Sequence, residues 1–266
     1  MSIHQHYLEK NRTSWNKRAE LHFGSEFYDV KSFLEGKTSL KPIELELLGD
    51  IRGKTILHLQ CHFGQDSLSL SRMGAQVTGI DLSDRAIAYA HELAHTMQQD
   101  STFICCDIYD LPNYLTEKFD IVFTSYGTIG WLPDLDRWAN IVSNFLKADG
   151  RFIFVEFHPY IWMFDDDLNE IRYNYFKEGP IIDFKDTSYT DGKLSEKTED
   201  VSWNHSLSEV INSLIDNGLK INSFEEFDYS PYNIFAGSVE VEKGKFRVKK
   251  MGSKIPLVYS LVAVKC

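Results

Sequence analysis

Two aspartates close short apolar runs in this chain, and their placement suggests chemistry. Val77-Thr78-Gly79-Ile80 stops at Asp81, and Phe103-Ile104-Cys105-Cys106 stops at Asp107. A carboxylate at the carboxyl end of a strand faces the crevice where open α/β sheets bind ligands. There Asp81 could accept two hydrogen bonds from the vicinal hydroxyls of a ribose. Capping the next helix, through Asp81-Leu82-Ser83-Asp84, is the competing use of this residue. Ser83 can fill that role alone, which leaves Asp81 free.

The elements that must position these acids can be read around them. Ile56-Leu57-His58-Leu59-Gln60 reads as a buried strand, Cys61-His62-Phe63-Gly64 as a tight loop, and 65–73 as a helix. Strand, loop, helix, strand and carboxylate make half of a doubly wound nucleotide site. The loop argues against a dinucleotide. G-x-G-x-x-G lets backbone amides close on a pyrophosphate, whereas the corresponding positions here are Gln60, His62 and Gly64. An adenosine carrying a short amino-acid arm would still fit.

These residues resemble the class I S-adenosylmethionine-dependent methyltransferases, in particular the small type 11 group. The usual loop of that family is acid-Leu-Gly-x-Gly-x-Gly, and this chain has His58-Leu59-Gln60-Cys61-His62-Phe63-Gly64 instead. It looks like a variant in which polar side chains line the methionine pocket. Three further segments match in order. They are the third strand ending at Asp107-Ile108, the fourth strand Phe119 to Tyr126, and Leu146-Lys147-Ala148-Asp149-Gly150 with the fifth strand to Glu156.

The resemblance implies a Rossmann-like α/β fold: a seven-stranded mixed sheet with an antiparallel last strand and helices on both faces. It implies S-adenosylmethionine as cofactor, with S-adenosylhomocysteine as product. Asp107 would accept the adenine amino group, Ile108 would pack on the ring, and Leu82 and Ser125 would line the same site. Gln60, His62 and Gly64 would form the methionine end. The N-terminal helices of such proteins close over the cofactor, which makes Trp15, Arg18, His22 and Tyr28 candidates. Arg18 would pair with the cofactor's carboxylate; packing of these aromatics against the sheet is the alternative.

Methyl transfer from a sulfonium is an in-line displacement that mainly requires alignment. A base is needed only where the acceptor arrives protonated. His158 and Tyr126 are the catalytic candidates, with Glu156 and His62 near the same mouth. His158 could equally hydrogen-bond the start of the following segment. Asp165-Asp166-Asp167 diverge as consecutive carboxylates should, and no metal is expected.

The chain organises as one 266-residue domain. It divides into an N-terminal lid (1–49), a cofactor-binding core (54–159), a substrate-side insertion (160–205) and a C-terminal helix and strands (206–266). The insertion reads as short strands around an Asp191-Gly192 turn. Ser206 and Glu209 open a helix in capping-box fashion, Gly218 stops it, and strands follow over 221–227 and 256–264.

A net charge of −11 argues against nucleic-acid partners, which call for a basic stripe. The alternating lysines over 243–254 read as a solvated strand or loop. No apolar stretch reaches the ~18 residues of a membrane helix, and Met1-Ser2-Ile3-His4 begins no secretory signal. The four cysteines lack disulfide or zinc spacing and read as reduced, mostly buried thiols. These features lead us to expect a cytoplasmic enzyme acting on a small-molecule acceptor. A non-catalytic adenosine-ligand binding protein and a nicotinamide-dependent oxidoreductase stay open, since fold does not fix function.

Overall fold

The computed structural model describes residues 3–190 and 192–266. Met1 and Ser2 of the N-terminal reading, and Asp191 of the predicted turn, lie outside the described residues. Three helices come first: α1 (Ile3–Phe23), α2 (Val30–Leu34) and α3 (Pro42–Leu48). The core then alternates through β1 (Thr55–His58), α4 (Gln65–Arg72), β2 (Gln76–Asp81), α5 (Asp84–Thr96), β3 (Thr102–Cys105), β4 (Phe119–Ser125), α6 (Leu135–Phe145) and β5 (Leu146–Phe157). An antiparallel ribbon follows, β6 (Ile181–Thr187) with β7 (Lys193–Ser202). The chain ends with α7 (Leu207–Asp216), β8 (Leu219–Phe227), the hairpin β9 (Ser238–Glu242) and β10 (Lys245–Val248), and β11 (Val258–Lys265).

Seven strands form one mixed sheet in the order β3-β2-β1-β4-β5-β11-β8, with β11 antiparallel to both neighbours. The first five are parallel and covered on both faces, which is why β1 and β4 read as unbroken apolar runs. On one face α6 and α7 cover the sheet. Trp138 of α6 is fully buried there, its ring centroid 5.5 Å from those of Phe152 and Phe154. On the other face α3, α4 and α5 enclose Leu48, Ile56, Leu68, Leu70 and Ile121. Local sequence sets the helix starts. Ser83 caps α5 through the Ala86 amide at 3.0 Å, Asp134 caps α6, and Ser206 caps α7 through the Glu209 amide at 3.2 Å.

The chain order reverses between β1 and β4, so the ligand crevice lies at their carboxyl ends. Two boundaries of the C-terminal strands shift from the predicted ones. The last strand starts at Val258, two residues past Pro256, which has no amide to give the ladder. The strand before it starts at Leu219, directly after Gly218 turns the chain with φ 79°. The lysine-rich stretch supplies the turn and second strand of the β9–β10 hairpin and the turn after it, and Lys245 pairs with Glu242 at 2.8 Å. Only two of the four cysteines, Cys61 and Cys106, are buried. Cys105 is exposed because β3 is an edge strand. Among the described residues no helix is long and apolar enough to cross a membrane.

Candidate active site

The loop after β1 keeps a glycine-like backbone without the glycines. Gln60 and His62 adopt φ of 53° and 51°, in the left-handed region that side chains disfavour by about 1–2 kcal/mol per residue. Two ladder-like bonds hold the loop there: Leu59 donates to the Phe123 carbonyl at 2.9 Å and Cys61 to the Ile80 carbonyl at 2.8 Å. Gly64 (φ 78°) opens α4, and a Cβ on it would sit 2.8 Å from the Phe103 ring and 3.1 Å from Ala90. Gly64→Ala is therefore expected to destabilise the chain by at least about 2 kcal/mol in urea unfolding, combining strain and overpacking.

The backbone of this loop bounds a cavity of about 710 Å³, which also reaches the ends of β2, β4 and β5. Gln60, His62, Gly64, Asp81, Leu82, Asp107, Ile108, Ser125, Tyr126, Arg18 and Tyr28 all line it. The Asp81 carboxylate accepts the His62 amide at 2.8 Å and the Ser83 amide at 2.9 Å, so it ties the loop to the turn beyond β2. Ser83, not Asp81, caps the helix. Burial pushes the Asp81 carboxyl up to about 6, partly offset by these amides. Asp107 accepts the Tyr109 amide at 3.2 Å where the chain turns into a short 3-10 segment.

At the other end of the loop, Gln60 donates to the Thr128 carbonyl at 2.9 Å. Its Oε1 is buried without a partner among the described residues, as is His62 Nδ1. The His62 ring stacks on Tyr28 at 5.3 Å, and its Nε2 lies 3.3 Å from His22 Nδ1. Burial lowers His62 to about 3 and, with help from His62 and Arg18, lowers His22 to about 2, so both rings are neutral. A neutral imidazole offers one donor and one acceptor, which suits a zwitterionic ligand arm.

Two expected roles meet a different geometry. Arg18 is not held out toward a ligand. Its guanidinium pairs side-on with Asp200 of β7, at 3.0 and 2.6 Å, and both side chains are buried. The reason lies on one stripe of α1. Tyr7, Asn11, Ser14 and Arg18 face β7, where the Asn11 amide exchanges two bonds with the backbone of Val201 and Tyr7 packs on Trp203. His158 also departs from its catalytic reading. It does not line the cavity. Glu226 of β8 holds its Nε2 at 2.9 Å, and its Nδ1 accepts the Tyr160 amide at 3.1 Å, which is the hydrogen-bonding alternative.

Glu156 is also committed. It accepts the amides of Gly127, Thr128, Ile129 and Phe157, and so fixes the turn after β4. Tyr126 stays at the cavity with a left-handed φ of 44°, and its hydroxyl donates to Glu44 at 2.8 Å. The triple-aspartate segment is a surface turn, with Asp165 accepting local amides and Asp166 pairing with Lys185. Beyond Tyr126 the wall becomes apolar, with Phe157, Ile161, Trp162, Phe164 and Phe235.

Sequence reasoning passed over Glu44, Lys41, Asp66, Tyr232 and Asp200. Only their convergence marks them. Glu44 and Glu46 look alike on α3, yet the first is fully buried and the second is exposed.

The sequence model of a family described as methyltransferase domain matches residues 57–154, the segment that builds β1 to β5 and the cavity floor. Over that segment the chain is similar to methyltransferase domains. This chain is 31% identical over 115 residues to a ubiquinone biosynthesis O-methyltransferase of Coxiella burnetii, covering 43% of this chain and 47% of that one. The chain thus spans about half the length of this relative. It is 25% identical over 191 residues to the Bacillus subtilis methyltransferase YbaJ, covering 71% and 74% of the two chains.

Among solved structures, an S-adenosylmethionine-dependent methyltransferase from Listeria monocytogenes superposes with a TM-score of 0.58 at 22% identity, over 84% of this chain and 97% of that one. Geranyl diphosphate C-methyltransferase from Streptomyces coelicolor, in complex with S-adenosyl-L-homocysteine, superposes with a TM-score of 0.62 at 15% identity over 98% of both chains. At these identities the superpositions establish the fold. This chain differs from the glycine loop it resembles in carrying side chains, Gln60 and His62, at two left-handed positions.

Proposed function

We propose that this chain transfers a methyl group from S-adenosylmethionine to a small-molecule acceptor. The observation that carries the reading is the convergence of Asp81, Asp107 and the glycine-like loop on one cavity at the topological switch point. Asp81 would take the ribose hydroxyls, Asp107 and Ile108 the adenine, and the open polar atoms of Gln60 and His62 the methionine arm. Small-molecule acceptors are named for the Coxiella and Streptomyces proteins, which supports the same class here.

Bound S-adenosylmethionine supplies a methyl on a positively charged sulfur. The chain's own part is to hold the acceptor in line with that bond and to exclude water, which alone can supply several kcal/mol. The apolar wall of Phe157, Trp162, Phe164 and Phe235 suits a flat or apolar acceptor. Nicotinamide chemistry is disfavoured, because the Gln60 and His62 side chains stand where a pyrophosphate would meet backbone amides.

Calorimetric titration with S-adenosylhomocysteine, with NAD as control, tests the reading. Micromolar binding of the first and none of the second is the expected outcome. Folded protein that ignores S-adenosylhomocysteine would overturn it.

A further inference from the structure

A buried carboxylate stands behind Tyr126 of the cavity wall. Glu44 of α3 has no exposure to solvent. Its Oε2 accepts the Tyr126 hydroxyl at 2.8 Å, and its Oε1 accepts the Lys41 amide at 3.2 Å. Tyr126 in turn stands on the cavity wall at the end of β4, held by a backbone conformation that side chains avoid. Strained residues of this kind gather at functional sites. The pair is therefore a buried acid hydrogen-bonded to a residue of the cavity wall.

The surroundings favour a proton on that acid. Asp66 of α4 faces it, as do Tyr126 and Tyr232, while Lys41 leans its ammonium over the Tyr232 ring at 4.6 Å. His58 of β1, near Asp66, is neutral, lowered to about 4 by burial. Burial and then Asp66 push the Glu44 carboxyl up to about 7, against the bonds from Tyr126 and Lys41. A purely structural Tyr–Glu pair gains nothing from a second carboxylate beside it. A proton acceptor does, because general bases work best with a pKa near the working pH.

We infer that Tyr126 and Glu44 form a proton relay to the methyl acceptor, and that this site takes a weakly acidic hydroxyl on a flat or apolar molecule. The inference rests on the methyl-transfer reading above. As the acceptor oxygen bonds to the methyl carbon, the carbon–sulfur bond breaks and its electron pair returns to sulfur. The acceptor's proton passes to Tyr126 Oη while Tyr126's own proton moves to Glu44 Oε2. Tyr126 touches the acceptor; Glu44 acts through it, as a positioning residue.

Two readouts on the full chain test the relay. In protein labelled with carboxyl-¹³C glutamate, the signal that disappears in Glu44→Gln should titrate near pH 7, and Tyr126→Phe should move its midpoint upward. A Glu44 signal that titrates with the surface glutamates would overturn the relay. With labelled S-adenosylmethionine and catechol as the probe acceptor, transfer should rise with pH through about 7. Glu44→Gln should slow it by roughly 10²–10⁴-fold and remove the acid limb, with partial rescue by Glu44→Asp. Unchanged rates and pH profiles in a Glu44→Gln protein that still binds S-adenosylhomocysteine would sink the relay alone. Wild type that binds no S-adenosylhomocysteine would sink the methyl-transfer reading, while the ¹³C titration still decides on the Glu44–Tyr126 pair.

Discussion

Asp200→Ala is expected to lower stability by about 3–5 kcal/mol, read from the urea midpoint at unchanged slope. The variant would leave the Arg18 guanidinium inside the protein with its counter-ion gone. Both side chains are nearly solvent-free, and Ser14 adds a bond to Asp200 at 2.5 Å, so water has little access for rescue. Arg18→Met with Asp200→Leu should recover most of the loss, because a buried pair replaced by apolar groups of similar volume is often near neutral. The loss should also show as faster amide exchange in α1, since Asn11, Ser14 and Arg18 tie that helix to β7 as one stripe. A penalty below about 1 kcal/mol would mean that water already reaches the pair.

That pair also marks where sequence reading stops. The strands, the loop and the two strand-end acids were legible because each rests on local pattern: an apolar run, a turn, a carboxylate at the strand's end. The seven-stranded sheet with its antiparallel strand came from the family resemblance, not from local pattern. Arg18 and Asp200, by contrast, are 182 residues apart, and nothing local says that an arginine on the lid helix meets an acid on the ribbon. Trp15, Arg18 and His22 could be singled out in the sequence, but not which neighbour each faces. The contact between His158 and Glu226 went unread for the same reason, since Glu226 lies on a later strand. Glu44 went unseen because burial is a tertiary property: Glu44 and Glu46 carry the same letter on one short helix.

The loop carries the sharpest departure from family pattern, and Asp81 is where its consequence can be measured. Asp81→Ala is expected to weaken S-adenosylhomocysteine binding by roughly tenfold to a hundredfold, because charged hydrogen bonds are worth about 1.5–3 kcal/mol. The pH dependence makes the assignment specific. Burial holds the Asp81 carboxyl at about 6, from an ordinary 3.8, and the ribose hydroxyls would hydrogen-bond the charged form. Binding in wild type should therefore weaken as pH falls below about 6, approaching tenfold per unit, and should release a proton near that pH. Calorimetry in buffers of different ionisation enthalpy reads that release directly. Stability of the unliganded chain should run the other way. An acid raised on folding favours the folded state below its unfolded pKa and loses that contribution as pH rises through its folded one. Relative to Asp81→Ala, wild type should thus gain about 2–3 kcal/mol between pH 7.5 and pH 4. Opposite slopes for binding and stability, both abolished in Asp81→Ala, belong to a buried carboxylate whose charge is spent on a ligand. Affinity level from pH 8 to pH 5 would remove Asp81 from the ribose and return it to the turn it already ties together.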